Sequence, residues 1–295
     1  MKSFSINYLL IVLLISMSKS ILEYNDVKEP PQDFRAVWSS PWGGDEDLIR
    51  FNSIDEFKNN MIYILDTLKM YNMNAFIYHV RTHNDALYKS DLNPVSPYFT
   101  KVDFTQFDPL GWLIDETHKR GIEFRAWMNS YRITSDDTID IETLLEKYKN
   151  YPENPASKKE YILYGVKTII MDPEKEEVRE FISKTIIEFL NKYDVEAIHF
   201  DDYFYANMSA SGSTSGEITI IDEPDQKTYN DYIDSHPGCP YQNDSATDKA
   251  NWRRNQTDLL IKLLKERINE YNTKNKKFIN LVYLQLVYIK MEMEK

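Results

Sequence analysis

The chain has 295 residues, of which 42% are hydrophobic, so it can fill one large core, and global disorder is excluded. Its formal net charge of −12 argues against nucleic acid and anionic membrane surfaces as partners. Aromatic residues make up 14% of the chain, a surplus that suits stacking on sugar rings and equally suits a codon bias that enriches Tyr, Asn, Ile and Lys together.

The N-terminus has the pattern of a secretory signal peptide. Lys2 precedes the apolar run Tyr8–Ile15, and small residues follow up to Ser20. We therefore expect a signal peptide over residues 1–20, a leader over 21–33 and a secreted, extracellular protein. The apolar run is short for a bilayer span, so stable membrane insertion is not expected, and an uncleaved anchor is the alternative. Cys239 is the single cysteine, which excludes an intrachain disulfide.

Strand and helix patterns alternate from residue 34 onward. Buried strands are predicted at Phe34–Ser39, Ala75–Arg81, Glu123–Trp127 and Ala197–Asp201. Helices are predicted at Ile54–Tyr71, Pro109–Arg120, Ile139–Tyr148, Pro173–Tyr193 and Trp252–Asn272. Ser53, with Glu56 three residues later, forms a capping-box pattern at the start of the first helix. Val166–Met171 is apolar, and the Ser-, Gly- and Asp-rich stretch Asn207–Ala250 predicts a long loop.

This alternation indicates a mostly parallel sheet with right-handed crossovers, in either an open doubly wound sheet or a barrel. No Gly-rich phosphate loop follows the first strand, where Trp-Ser-Ser-Pro-Trp stands instead. Polar residues gather at the carboxyl ends of successive strands, where barrel enzymes keep their sites. The fold class is therefore predicted as α/β, of the (β/α)8 TIM-barrel type, with about five of the eight units present and the partial domain spanning residues 34–281.

The segment His199–Tyr205, at the end of a predicted strand, contains two adjacent carboxylates. Glycoside hydrolysis needs one protonated and one ionised carboxyl group. Because neighbouring strand residues point to opposite sides, Asp201 and Asp202 are not expected to face one sugar together. Asp201 shares a face with His199 and is predicted as the nucleophile or transition-state stabiliser, with Asp202 held in a supporting network. The alternative is that both residues cap the strand and bind loop amides.

Other strand ends carry side chains suited to a substrate cleft. Trp38 and Trp127 could stack on sugar, and Arg81 could bind a substrate oxygen or keep a carboxylate ionised. His79 and Asn129 lie at the same ends. His79 and His83 have the spacing of metal ligands on a helix, but they follow a strand, and the sequence has no HExxH motif, Cys cluster or G-x-S-x-G elbow. No metal and no cofactor are therefore expected.

At these residues the sequence resembles the glycosyl-hydrolase-like 10 family, whose members are similar to (β/α)8-barrel glycosidases. The matching pieces run in order from about Asp33 to Lys277 and include Phe34–Trp38, Val80–Arg81, Asp85–Ser90, Ala126–Asn129, Met171–Pro173, Phe200–Tyr205 and Trp252–Arg254. The resemblance implies a carbohydrate cleft lined by Trp38, His79, Arg81, Asp85, Tyr88, Trp127, Asn129, Tyr203, Tyr205 and Arg253. The sequence departs from the family at His79, where an amide side chain is usual, and in the insertion after Tyr205.

The end of the sequence also departs from the family, which continues with an Ile-Ser-Pro strand and further barrel units. Here Phe278–Leu281 is followed by Val282–Lys295. Shifted by two bases, the codons of this tail can encode such a strand, so residues 282–295 are expected to be out of frame. A chain with five units would expose open sheet edges, and we expect it to be inactive.

The sequence thus predicts an exported glycoside hydrolase-like domain that hydrolyses O-glycosidic bonds of a polysaccharide or oligosaccharide by carboxylate chemistry. A degenerate barrel that binds carbohydrate without catalysis is the first alternative. A metal-dependent hydrolase is the second.

Overall fold

The computed structural model describes residues 33–41, 50–201, 203–206, 208, 210–212, 218–220 and 223–283. The chain divides into two units, Met1–Arg35 and Ala36–Lys295. All the helices and strands described below belong to the second unit. The predicted signal peptide and nearly all of the leader, together with residues 284–295 of the expected out-of-frame tail, lie outside the described residues.

A five-stranded parallel sheet organises the second unit. It consists of β1 (Ala36–Ser39), β2 (Ala75–Arg81), β3 (Glu123–Met128), β7 (Ala197–Phe200) and β10 (Asn280–Tyr283). The strands lie side by side in chain order, β1-β2-β3-β7-β10, and each neighbouring pair is parallel. A doubly wound sheet reverses its strand order at a switch point. The uninterrupted order is that of a (β/α) barrel, which confirms the predicted fold class.

Within the described residues, six helices accompany the strands. They are α1 (Ile54–Met70), α2 (Pro109–Lys119), α3 (Ile141–Tyr148), α4 (Glu176–Lys192), α5 (Gln226–Ser235) and α6 (Ala246–Asn275). The predicted start of α1 is confirmed, because Ser53 Oγ accepts a hydrogen bond from the Glu56 backbone N–H at 3.2 Å. Beyond α2, Gly121 has φ +67°, a left-handed conformation that glycine adopts without steric cost. Within the described ranges, no helix combines the length and hydrophobicity that crossing a bilayer requires.

The two faces of the parallel sheet differ in burial. Along β3, Phe124, Ala126 and Met128 are buried, whereas Glu123 is exposed and Trp127 is half-buried. The buried residues belong to the continuous apolar core that also includes the inward stripes of the helices. We call this the helix-covered face and the opposite one the inner face. Side chains that share the inner face with Trp127 are Trp38, Ile77, His79, Arg125 and His199.

A second, antiparallel sheet is built between β3 and α4 of the chain. It contains β4 (Arg132–Thr134), β5 (Ile162–Gly165) and β6 (Thr168–Met171), in the order β4-β6-β5. The apolar segment Val166–Met171 thus contributes a strand of this small sheet. Because β4, β5 and β6 follow the carboxyl end of β3 in the chain, the small sheet lies on the side of the parallel sheet where the strands end.

The prediction of a long loop over Asn207–Ala250 is wrong. This stretch contains the antiparallel pair β8 (Ala210–Gly212) and β9 (Ile218–Ile220), the whole of α5 and the start of α6. The α5 sequence is mostly polar and buries Thr228 and Tyr229, so its apolar periodicity is weak. The start of α6 is set by a cap, since Ser245 Oγ accepts from the Asp248 backbone N–H at 3.1 Å.

Candidate active site

An aromatic cluster occupies the inner face at the carboxyl ends of the parallel strands. We call Trp38, His79, Trp127 and His199 the mouth cluster. His79, Trp127 and His199 are register partners on three adjacent strands, so they form one level across the sheet. The His79 ring stacks on Trp127 with centroids 3.7 Å apart and planes 9° apart. Trp38 meets Trp127 and His199 edge to face, at centroid distances of 4.7 and 4.3 Å.

The mouth cluster combines burial with unused hydrogen-bonding capacity. Trp38 is 39% exposed, whereas His79 is 0% and His199 is 5% exposed. Among the described residues, no partner is found for His79 Nε2, Trp127 Nε1 or either ring nitrogen of His199. The other nitrogen of His79, Nδ1, lies 2.9 Å from Ser40 Oγ. Because buried polar atoms in proteins are nearly always paired, four such atoms in one cluster call for an explanation.

Both histidines of the cluster are uncharged near neutral pH. Burial, together with a smaller contribution from the nearby Arg125 charge, lowers the pKa of His199 to about 4. Burial also lowers the pKa of His79 well below its usual value, with smaller contributions from His83 and Arg132. The floor of the site therefore consists of neutral aromatic rings.

Asp201 directly follows β7, two residues beyond His199. The residue is half-buried, and its Oδ1 accepts a hydrogen bond from the Tyr203 backbone N–H at 3.0 Å, which fixes the carboxylate in the turn that leaves the strand. Asp202 lies outside the described residues. The catalytic roles of both residues stay predictions.

Arg81 lies on the helix-covered face, and not in the cleft as expected. A bulge in β2 sets His79 opposite Trp127 and Arg81 opposite Met128, so the strand advances by two residues on β2 and by one on β3. Arg81 therefore points to the same face as Met128. The guanidinium, 2% exposed, donates to the carbonyl oxygens of Asn129 and Ser130 and to Asn84 Oδ1.

Three further predicted substrate residues are also enclosed by protein. Asn129 is 1% exposed and donates through Nδ2 to the Thr82 carbonyl oxygen. Asp85 is 1% exposed, and its Oδ1 accepts from the His83 backbone N–H at 3.2 Å. Tyr88 is fully buried among aromatic rings of the core. These positions favour structural roles.

Tyr205 and Arg253 are brought together by Asp225, a residue that the sequence did not single out. Asp225 is fully buried and accepts from Arg253 Nε and Nη2, both at 2.7 Å, and from the Tyr205 hydroxyl at 2.7 Å. Tyr203, by contrast, donates through its hydroxyl to Thr168 Oγ1 at 2.7 Å, and the Arg132 guanidinium lies 3.7 Å from its ring centroid. The hydrogen bonds of Tyr203, Tyr205 and Arg253 therefore stabilise the loop after β7.

A second buried carboxyl group lies close to this loop. Asp172, 1% exposed, accepts from the Thr228 hydroxyl on α5 at 2.8 Å and from the Glu174 backbone N–H at 3.1 Å. Burial raises the pKa of Asp172 to about 6. Within the part of the chain that the structure describes, no three His, Cys, Asp or Glu side chains converge as metal ligands.

Parallel strands wound in chain order, with a polar and aromatic site at their carboxyl ends, define a protein of the (β/α)-barrel type. Residues 33–275 match the model of the family Glycosyl hydrolase-like 10, and the chain belongs to this family.

The curated relatives are longer than this chain. The chain is 32% identical over 246 residues to Glycosyl hydrolase YngK of Bacillus subtilis, covering 80% of this chain and 42% of the relative. It is 30% identical over 207 residues to Glycosyl hydrolase DigH of Escherichia coli K12, covering 68% of this chain and 42% of the relative. The PgaB (BpsB) glycoside hydrolase domain from Bordetella bronchiseptica is 11% identical, with a TM-score of 0.47 over 85% of this chain and 64% of that chain.

Proposed function

We propose that this chain is an exported glycoside hydrolase-like domain that binds a polysaccharide or oligosaccharide over the mouth cluster. In this proposal the complete domain hydrolyses O-glycosidic bonds, with Asp201 as the central carboxylate. The family supports a carbohydrate substrate in general, and the finer assignment of chemistry and residues rests on the site.

One observation carries the proposal: the partly exposed Trp38 ring lies against Trp127 and His199 at the mouth of the parallel sheet, and His199 is on β7, the strand that leads into Asp201. Flat apolar rings with polar edges are suited to the faces and hydroxyl groups of sugars. An ionised carboxylate beside such rings can stabilise the positive charge that develops on the sugar in the transition state. We assign Asp201 this role and Asp202 a supporting one, because adjacent residues point to opposite sides.

The test measures binding and hydrolysis separately. Binding is measured with the 295-residue chain, and hydrolysis with a version extended after Leu281 in the shifted reading frame, because the 295-residue chain is expected to be inactive. Tryptophan fluorescence reports binding of soluble oligosaccharides, and the release of reducing ends reports hydrolysis. We expect Asp201→Asn to lower the rate of hydrolysis by about 10²- to 10⁴-fold while binding is retained. Trp38→Ala should weaken binding about two- to tenfold. The matched controls, Asp115→Asn and Tyr63→Ala, change exposed residues on α2 and α1 and should leave both measurements unchanged.

The outcomes separate the candidate functions. Binding without any hydrolysis, with Asp201→Asn equal to the parent, would overturn the enzyme and leave a carbohydrate-binding protein. Absence of both binding and hydrolysis would overturn both. Hydrolysis that a chelator abolishes and added zinc restores would favour the metal-dependent alternative.

Export is proposed from the N-terminal pattern of Lys2 followed by the apolar run Tyr8–Ile15. Expression in a secreting host, followed by N-terminal sequencing of the protein in the medium, tests it. A new N-terminus close to residue 21 is the expected result, and retention of the intact chain in the cells is the contrary one.

A further inference from the structure

The unpartnered nitrogens of the mouth cluster lie on one level of the inner face. His79, Trp127 and His199 are consecutive register partners across β2, β3 and β7. Together they hold four buried nitrogen atoms without a partner among the described residues. His199 is the extreme case, since it is 5% exposed and neither ring nitrogen is hydrogen-bonded. A buried polar side chain with its whole hydrogen-bonding capacity unused is costly unless a ligand or water satisfies it.

The chemistry of these atoms limits what they can bind. The Trp127 indole offers a donor, and a neutral His199 offers one donor and one acceptor. This set matches a hydroxyl group, which also donates and accepts. The set carries no net charge, because burial keeps His199 and His79 in their neutral forms. The cations Arg125 and Arg132 act on these rings, and both are already engaged. Arg125 is paired with Glu123, at 2.7 Å between Nη2 and Oε2, and the Arg132 guanidinium lies 3.7 Å from the centroid of the Tyr203 ring.

We propose that His199 is a specificity-determining residue that hydrogen-bonds a hydroxyl group of an uncharged sugar, on a floor completed by His79 and Trp127. The subsite takes a neutral hexose and rejects a uronic acid, since a carboxylate would lose its water against neutral donors without gaining a positive partner. This inference rests on the proposed carbohydrate-binding function.

Two substitutions at His199 separate hydrogen bonding from ring packing. His199→Gln keeps a donor and an acceptor and loses the ring that contacts Trp38. His199→Phe keeps a ring and loses both polar atoms. Binding is measured in the Asp201→Asn background, by tryptophan fluorescence and calorimetry, with cellotetraose and mannotetraose as neutral probes and tetragalacturonate as the uronic probe. His236→Gln is the matched control, because His236 is exposed on the surface.

We expect the Asp201→Asn parent to bind one of the neutral probes at least tenfold more tightly than tetragalacturonate. His199→Phe should weaken this binding about tenfold, a loss typical of one buried hydrogen bond, whereas His199→Gln should remain within about threefold of the parent. A reversed order, with Phe binding better than Gln, would overturn the inference and leave His199 as a packing residue. Equal binding of the neutral and uronic probes by the parent would also overturn the inference. This comparison needs no His199 variant, so it can be made even if a variant fails to fold.

The result also distinguishes this inference from the proposed function. If the parent binds none of the three probes nor any glycan of a wider panel, the proposed function fails and the inference fails with it. If the parent binds glycans and Trp38→Ala weakens the binding, the proposed function stands even where the His199 variants overturn the subsite.

Discussion

The buried ion pair between Arg253 and Asp225 allows a quantitative prediction. Arg253→Met would leave the Asp225 carboxylate fully buried, with the Tyr205 hydroxyl as its remaining side-chain donor. Removing one partner of a buried pair costs about 3–5 kcal/mol, because the other charge stays in the interior without compensation. For a domain of this size, each kcal/mol corresponds to about 2–4 °C, so the midpoint of thermal unfolding should fall by roughly 6–20 °C.

The partner substitution should cost less. Asp225→Asn leaves the guanidinium of Arg253 with a second carboxylate, Glu223, at 3.8 Å, so we expect a loss of about 1–3 kcal/mol. The double variant Asp225→Leu/Arg253→Met removes both charges and should lie within about 1 kcal/mol of the parent.

Urea unfolding followed by circular dichroism measures all three variants. The exposed pair Lys227–Asp231 provides the control, since Lys227→Met should change stability by less than about 0.5 kcal/mol. The reasoning is refuted if Arg253→Met costs less than Asp225→Asn, or if the double variant loses as much stability as Arg253→Met alone.

Three further predictions concern stability. Burial raises the pKa of the Asp172 carboxyl group from 3.8 to about 6, so its stabilising contribution of about 3 kcal/mol is present below pH 4 and is lost as the pH rises through 6. In urea titrations from pH 4 to 8, Asp172→Asn should therefore flatten the fall in the free energy of unfolding with rising pH. Gly121→Ala should cost about 1–2 kcal/mol for its φ of +67° alone, because the added Cβ would meet no atom closer than 4.0 Å. Phe57→Ala should cost about 3–5 kcal/mol, since the ring is fully buried among Phe51, Phe99 and Trp112.

Each of these predictions has a comparison that can contradict it. An unchanged pH profile in Asp172→Asn would show that the slope comes from other groups. Gly121→Asn should lose less stability than Gly121→Ala, because Asn tolerates the left-handed region, and equal losses would exclude the backbone explanation. A loss below about 1 kcal/mol for Phe57→Ala would mean that the aromatic cluster collapses into the space left behind.

Local patterns predicted those parts of the fold that depend on neighbours in the sequence. The strand Ala75–Arg81 has the predicted bounds, and α2 begins at Pro109 as expected. The C-terminal end of α2 also follows the pattern, with Arg120 as its cap and Gly121 in a left-handed conformation. Caps, prolines and glycines act over a few residues, so the sequence alone reveals them.

Features that depend on distant residues were not predictable. Asp225 and Arg253 are 28 positions apart, and the polar sequence around Asp225 gave no sign of burial. For the same reason α5 was predicted to be loop. Alternation along β2 would set Arg81 on the same face as His79, and a bulge formed against β3 breaks that alternation. At the candidate site, the sequence placed Trp38, His79, Arg81 and Trp127 at strand ends, but the face on which Arg81 lies depends on the pairing register between β2 and β3.

The bulge in β2 also defines a route for changing the electrostatics of the cleft. The bulge leaves Val80 as the extra residue and sets Arg81 opposite Met128, so the guanidinium is held beneath α4. If β2 kept Val80 and paired regularly with β3, Val80 would lie opposite Met128 and Arg81 would follow His79 into the inner face. An anionic sugar would then meet a positive partner at the mouth. Charge selection in this scaffold can therefore change through the pairing register of a single residue, with every side chain of the mouth cluster left in place.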